Sequence, residues 1–204
     1  MLTVEEGAVC KGSTGKLRHL YRLGVRMLTL TWNYPNELGW PNVKMPPEGS
    51  EEAPDFTVPD REHGLTETGF AFLSEMERLG MIVDVSHLSD AGFWDVARAA
   101  EKPFVASHSN ARAVCHHVRN LNDEMIRALA EKGGVTGLNF CPSFLEAERA
   151  GSEARGSLAA IAATRGISWM RAERTAWDSA AILTGFRRMR RFPTPLFCRP
   201  LPMR

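Results

Sequence analysis

No run of about 18 apolar residues occurs anywhere in the 204 residues, so no segment is built to cross a bilayer as a helix. The N-terminus, Met1-Leu2-Thr3-Val4-Glu5-Glu6, lacks the basic-then-apolar order of a secretory signal, and a cytoplasmic location is the expectation. Cysteine is scarce: Cys10, Cys115, Cys141 and Cys198 show neither CxxC pairing nor regular spacing. That excludes a zinc knuckle and a disulfide framework, leaving reduced thiols. Lysine is missing altogether from residues 165–204, where nine arginines face only Glu173 and Asp178. This segment carries +7 and leaves −6 for the remainder against a total of +1, so the two parts read as different proteins.

What is present is a globular composition. With 44% hydrophobic residues the chain can bury a real core, in one domain or two at most. Two histidines close successive apolar runs, Met81-Ile82-Val83-Asp84-Val85-Ser86-His87 and Phe104-Val105-Ala106-Ser107-His108. Each sits where a parallel strand gives way to its loop, the edge at which such folds build metal and active sites. A lone histidine at a strand end is as often a hydrogen-bonded structural residue. Two in register, with Glu5 opening the preceding unit, point instead to a site, and imidazole with carboxylate suits zinc and similar divalent ions.

The pattern along the chain alternates. Residues 16–23 read as a short helix closed by Gly24, and Val25 to Trp32 as a strand. Six prolines make residues 33–63 a long irregular loop, a length more often functional than accidental. Thr66-Glu67-Thr68-Gly69 opens a helix reaching Gly80, and the strand to His87 follows. Ser89 and Asp90 cap the next helix, Pro103 precedes the strand to His108, and Asn122-Asp123 begins a helix ended by Gly133-Gly134 before a strand over 135–140. Strand and helix joined by short links predict an α/β fold with a parallel sheet, part of a (β/α)8 TIM barrel. Four strands are legible before residue 145, whereas a full barrel takes roughly 250 residues, so the expectation is a partial barrel lacking its first and last strands.

Several ordered motifs carry a resemblance. They are Val4-Glu5-Glu6-Gly7, Gly24 to Asn33, His63-Gly64-Leu65-Thr66, Asp84-Val85-Ser86-His87-Leu88-Ser89, Ala106-Ser107-His108-Ser109-Asn110-Ala111 and Arg119-Asn120-Leu121. Over roughly residues 3–145 the chain resembles the membrane (renal-type) dipeptidases, the zinc-dependent peptidase family M19 of metal-dependent barrel hydrolases. The resemblance implies dipeptide hydrolysis at a binuclear zinc centre and a homodimer when the enzyme is intact. It aligns Glu5 with the carboxylate bridging two zinc ions, His87 and His108 with the histidines of the second ion, and Arg119 with the arginine that holds the substrate carboxylate. Glu6 is then only a neighbour of the ligand. Trp32 stands where animal members carry a substrate-polarising histidine, and Phe144 lies near a position that can hold tyrosine. Asn33, His116 and His117 are further candidates for the pocket, with a solvated loop the commoner setting for both histidines. No catalytic proton carrier is assigned: the family's His-x-Asp pair and its Gly-x-Asp-Phe-Asp-Gly motif are not readable here. On that count at most one zinc is expected on this polypeptide.

The expected division is 1–160 as partial barrel and 161–204 as Arg-rich tail. Two readings of the tail stand. In a frame shifted to the third codon base, Trp177-Asp178 forces a glycine, and the codons across Ser179 to Gly185 permit Gly-Ser-Asp-Phe-Asp-Gly; this favours a single-base insertion or deletion near residues 158–165. The other reading is a genuine basic tail touching nucleic acid or acidic lipid, but it carries no nucleic-acid motif and little aromatic interleaving. Sequencing the DNA decides between them. Three functions remain in view: a metallodipeptidase, a related amidase or lactonase, and a non-catalytic fragment or pseudogene product binding at most one metal.

Overall fold

Four helices among the described residues start on a side-chain cap, three of them at the starts read from sequence and one, at Ser13, not read there. In the computed structural model, which describes residues 1–43, 46, 50–146 and 156–171, Ser13 caps α1 (Thr14–Arg22) and Thr66 caps α2 (Glu67–Leu79). Ser89 caps α3 (Asp90–Ala99) and Asn122 caps α4 (Asp123–Glu131). Each cap oxygen accepts a backbone N–H of the first turn, as Ser89 Oγ does from Gly92 N at 2.9 Å and Asn122 Oδ1 from Met125 N at 2.8 Å. Gly80 ends α2 in the left-handed conformation, at φ 73°.

Between the helices run five parallel strands, β1 (Leu2–Glu5), β2 (Val25–Thr29), β3 (Ile82–Asp84), β4 (Val105–Ala106) and β5 (Val135–Thr136). They pair in the order β1-β2-β3-β4-β5. Every strand neighbours its sequential successor, the order a β/α barrel requires; a doubly wound sheet would reverse direction at a switch point. The helices bury their apolar stripes on the strands, and Leu28, Phe72, Met76, Phe93, Val96, Phe104 and Met125 form the core between them. Glu75 of α2 ties the helical layer together, accepting from Arg18 Nε of α1 at 2.6 Å and from Arg78 Nε and Nη2 at 2.7 Å.

The fold is the α/β partial barrel expected, with one strand more than the four read from sequence. β1 escapes a hydrophobicity reading because Leu2, Thr3 and Glu5 are all exposed on a sheet edge. The other strands are shorter than their apolar runs. After Asp84 the chain leaves the ladder and turns, and His87 takes a left-handed φ of 73°. The strand ends are drawn together where Gly137 passes β4: a Cβ there would lie 2.0 Å from Ser107 O. The loop after β2 returns to the sheet at Asn42, which is buried and donates to Asp90 Oδ1 and Val118 O. The last helix among the described residues, α5 (Leu158–Arg171), crosses position 160, and residues 172–204, most of the Arg-rich segment, lie outside the described residues.

Candidate metal centre

The C-terminal ends of β1, β3 and β4 bring three donors to one point. Glu5 Oε1 lies 3.1 Å from His87 Nε2 and 3.3 Å from His108 Nε2, and the two imidazole nitrogens are 3.0 Å apart. Among the described residues these form a group of ligand atoms within 4.8 Å of one another that could hold a metal ion. The side chains are graded in exposure, His87 at 9%, His108 at 28% and Glu5 at 52%, so the group is anchored on the β3 side and open beside β1.

Electrostatics tests whether the group fits a cation. Burial, and next the charge of Arg119, push the His87 imidazole down to about 3, so it is neutral at physiological pH. Its Nδ1 faces Asn33 Oδ1 at 3.1 Å, and a proton donated there would leave Nε2 free to face a cation. Hydrogen bonds from His108, then from His87, lower the Glu5 carboxyl below its ordinary range and keep it ionised. With no ion a ring Nε2–H serves those contacts, and a bound cation would replace that proton and take the freed lone pairs. Neutral nitrogen and ionised oxygen are the donors a zinc-like ion takes, and the residues fit one.

Arg119 occupies the same region from a different direction. It is 6% exposed, yet its Nε and Nη2 have no hydrogen-bond partner among the described residues. Burial lowers its guanidinium to about 10, with Asp84, Glu5 and Cys141 acting in the opposite sense, so it stays charged at neutral pH. A buried cation with unmade hydrogen bonds is costly. Its guanidinium carbon lies 5.7 Å from the Phe144 ring centroid. His117 packs on Phe144 with centroids 4.5 Å apart and stacks on Phe56 of the long loop at 5.2 Å. His117 Nδ1 also accepts from Arg119 N at 3.1 Å, and burial holds this imidazole down at about 4.

The remaining candidates separate cleanly. Trp32 lies beside His87, with ring centroids 6.4 Å apart, and Asn33 orients that histidine. His116 is exposed. Glu6 is turned away from the three donors: it accepts from Ala8 N at 3.1 Å, capping the 3-10 turn Gly7–Cys10, and from Asn36 Nδ2 at 2.6 Å. Sequence reasoning gave no role to Asp84 and Ser107, although both belong to the motifs that end in the histidines. Asp84 is fully buried and accepts from Thr29 Oγ1 at 2.7 Å, Ser86 N at 3.0 Å, Ser107 N at 2.9 Å and Ser107 Oγ at 2.5 Å.

A parallel sheet in barrel order, with its polar donors gathered at the C-terminal strand ends, defines an α/β barrel-type protein of the kind that carries its chemistry on that edge. The chain belongs to the membrane dipeptidase family, peptidase family M19, whose model matches residues 1–179. It is similar to a metallo peptidase from Rhodobacter sphaeroides solved with a phosphinate mimic of the dipeptide L-Ala-D-Ala, with TM-score 0.73 and 31% identity over 89% of this chain and 48% of that one. The family M19 metallo peptidase dipeptidase AC resembles it with TM-score 0.71 and 30% identity, over 89% of this chain and 49% of that one. An uncharacterised protein in the pqqA 5' region of Klebsiella pneumoniae is 40% identical over 138 residues, 67% of this chain and 47% of its own length. The chain thus spans about half the length of the relatives it matches. Among the described residues no helix is long and apolar enough to cross a membrane.

Proposed function

We propose that this chain carries the metal and carboxylate-binding part of a dipeptidase, acting on dipeptides with zinc as its ion. The observation that carries this reading is the convergence of Glu5 Oε1, His87 Nε2 and His108 Nε2, with Arg119, whose Nε and Nη2 lack partners among the described residues, lining the same cavity as His87. Glu5, His87 and His108 hold the ion; three protein donors suit one zinc with an open position, and a second ion requires donors beyond these three. When bound, a divalent cation supplies Lewis acidity, polarising a peptide carbonyl and making a water nucleophilic near neutral pH.

The chain's own residues supply position. Arg119 Nε and Nη2 form a fork matched to a carboxylate, the group every unblocked dipeptide carries at its C-terminus. Phe144 and His117 wall that fork on its apolar side, lowering the local dielectric and strengthening the ion pair. The dipeptide mimic held by the Rhodobacter sphaeroides relative supports the same substrate class here. Binding of dipeptides of both stereochemistries, blocked C-terminal amides and lactones to the zinc-loaded chain tests the reading. Zinc-dependent binding confined to free-carboxylate dipeptides is expected, with hydrolysis left to the complete enzyme. Preference for lactones or amides instead would point to a related amidase or lactonase, and zinc binding without any dipeptide binding to a non-catalytic fragment.

A further inference from the structure

His108 has a hydrogen-bond partner on the ring nitrogen opposite the metal-facing one, and that partner is itself constrained. Ser107 Oγ lies 2.7 Å from His108 Nδ1 and donates its own proton to Asp84 Oδ2 at 2.5 Å. A hydroxyl has one proton; committed to Asp84, it can only accept from His108. Nδ1 then carries the imidazole hydrogen, and the lone pair falls on Nε2, the atom 3.3 Å from Glu5 and 3.0 Å from His87 Nε2, which can donate to it in the metal-free chain. Asp84 is in turn held by Thr29 Oγ1 and by the backbone N–H groups of Ser86 and Ser107, so the relay is tied to the ends of β2, β3 and β4.

We propose that Ser107, anchored by Asp84, is a positioning residue that fixes His108 in the Nδ1–H tautomer and aims Nε2 at the ion. A partner that orients a metal-bound imidazole through its far nitrogen commonly changes metal affinity by about 10–100-fold. The affinity side of this inference rests on the metal reading above; the tautomer side does not.

The experiment is long-range 15N–1H NMR on the full chain, metal-free, at a pH of about 8.5, above the ordinary imidazole range. His108 is assigned by the signals lost in His108→Ala. Zinc affinity is measured in parallel by competition with a chromophoric chelator. The expected results are a proton on Nδ1 of His108, conversion wholly or partly to Nε2–H in Ser107→Ala, and zinc affinity lowered about 10–100-fold in that variant. Ser107→Thr, which keeps the hydroxyl, is expected to restore both. An Nε2–H tautomer in the unaltered protein overturns the inference, as does a Ser107→Ala protein with unchanged tautomer and affinity. If Ser107→Ala does not fold, the tautomer of the unaltered protein and the Ser107→Thr data still decide. A tautomer shift in a chain that binds no zinc would leave the relay standing and remove the metal reading.

Discussion

Arg119 shows most clearly how a single residue is kept against its own energetic interest. A buried guanidinium with two unpartnered nitrogens is a net cost to folding unless a ligand completes it. Arg119→Met is therefore predicted to keep stability within about 1 kcal/mol of the unaltered protein, or to raise it, while abolishing detectable dipeptide binding. Urea denaturation and calorimetry on the same samples check the two halves. A loss of about 3 kcal/mol or more, the usual cost of breaking a buried pair, would show that Arg119 has a structural partner instead. Glu5, His87, His108 and Arg119 were legible as candidates because their motifs are local. The roles of Ser107 and Asp84 were not, because the bond that gives Ser107 its meaning spans 23 positions and two strands. Asp84 reads in sequence as an interruption of an apolar run; in the fold it is the acceptor that ties three strand ends.

Elements were legible where a cap or a glycine marks them and obscure where pairing alone defines them. The caps at Thr66, Ser89 and Asn122 and the turn at Gly80 place helix ends to within a residue or two. Strand ends were read too long at β3, β4 and β5, since Val85 and residues 137–140 continue an apolar pattern after the ladder has stopped. The contact between α1 and α2 gives a prediction of its own. Bonds from Arg78, then Arg18, hold the Glu75 carboxyl at about 2, below its ordinary 4.5. A depressed carboxylate contributes stability that is present above the unfolded value and is lost as pH falls through the folded one. Both arginines are largely exposed, at 48% and 63%, so solvent screening limits the contribution to about 1 kcal/mol. Glu75→Gln should cost about that much at pH 7 and flatten the acid limb of the stability curve between about pH 4.5 and 2. Chemical denaturation across that range checks it; parallel curves for the two proteins would contradict it.

At the scale of the whole molecule, the order of the sheet makes the site possible. Because strands succeed one another around the sheet, residues 82 and 103 positions apart, Glu5 with His87 and Glu5 with His108, meet at one edge. Alternation of strand and helix announced that order, whereas β1 had to be seen in place, since its exposed side chains carry no strand signal. An ion held by three separate strands should also stabilise the fold by mass action, by about 2.7 kcal/mol at a free concentration 100 times its dissociation constant. The most direct measurement is a zinc titration of the purified 204-residue chain, followed by elemental analysis after gel filtration. One ion per chain, lost in Glu5→Gln, His87→Ala and His108→Ala, is the predicted result. Absence of saturable binding, or a single ion unaffected by all three substitutions, would contradict the account.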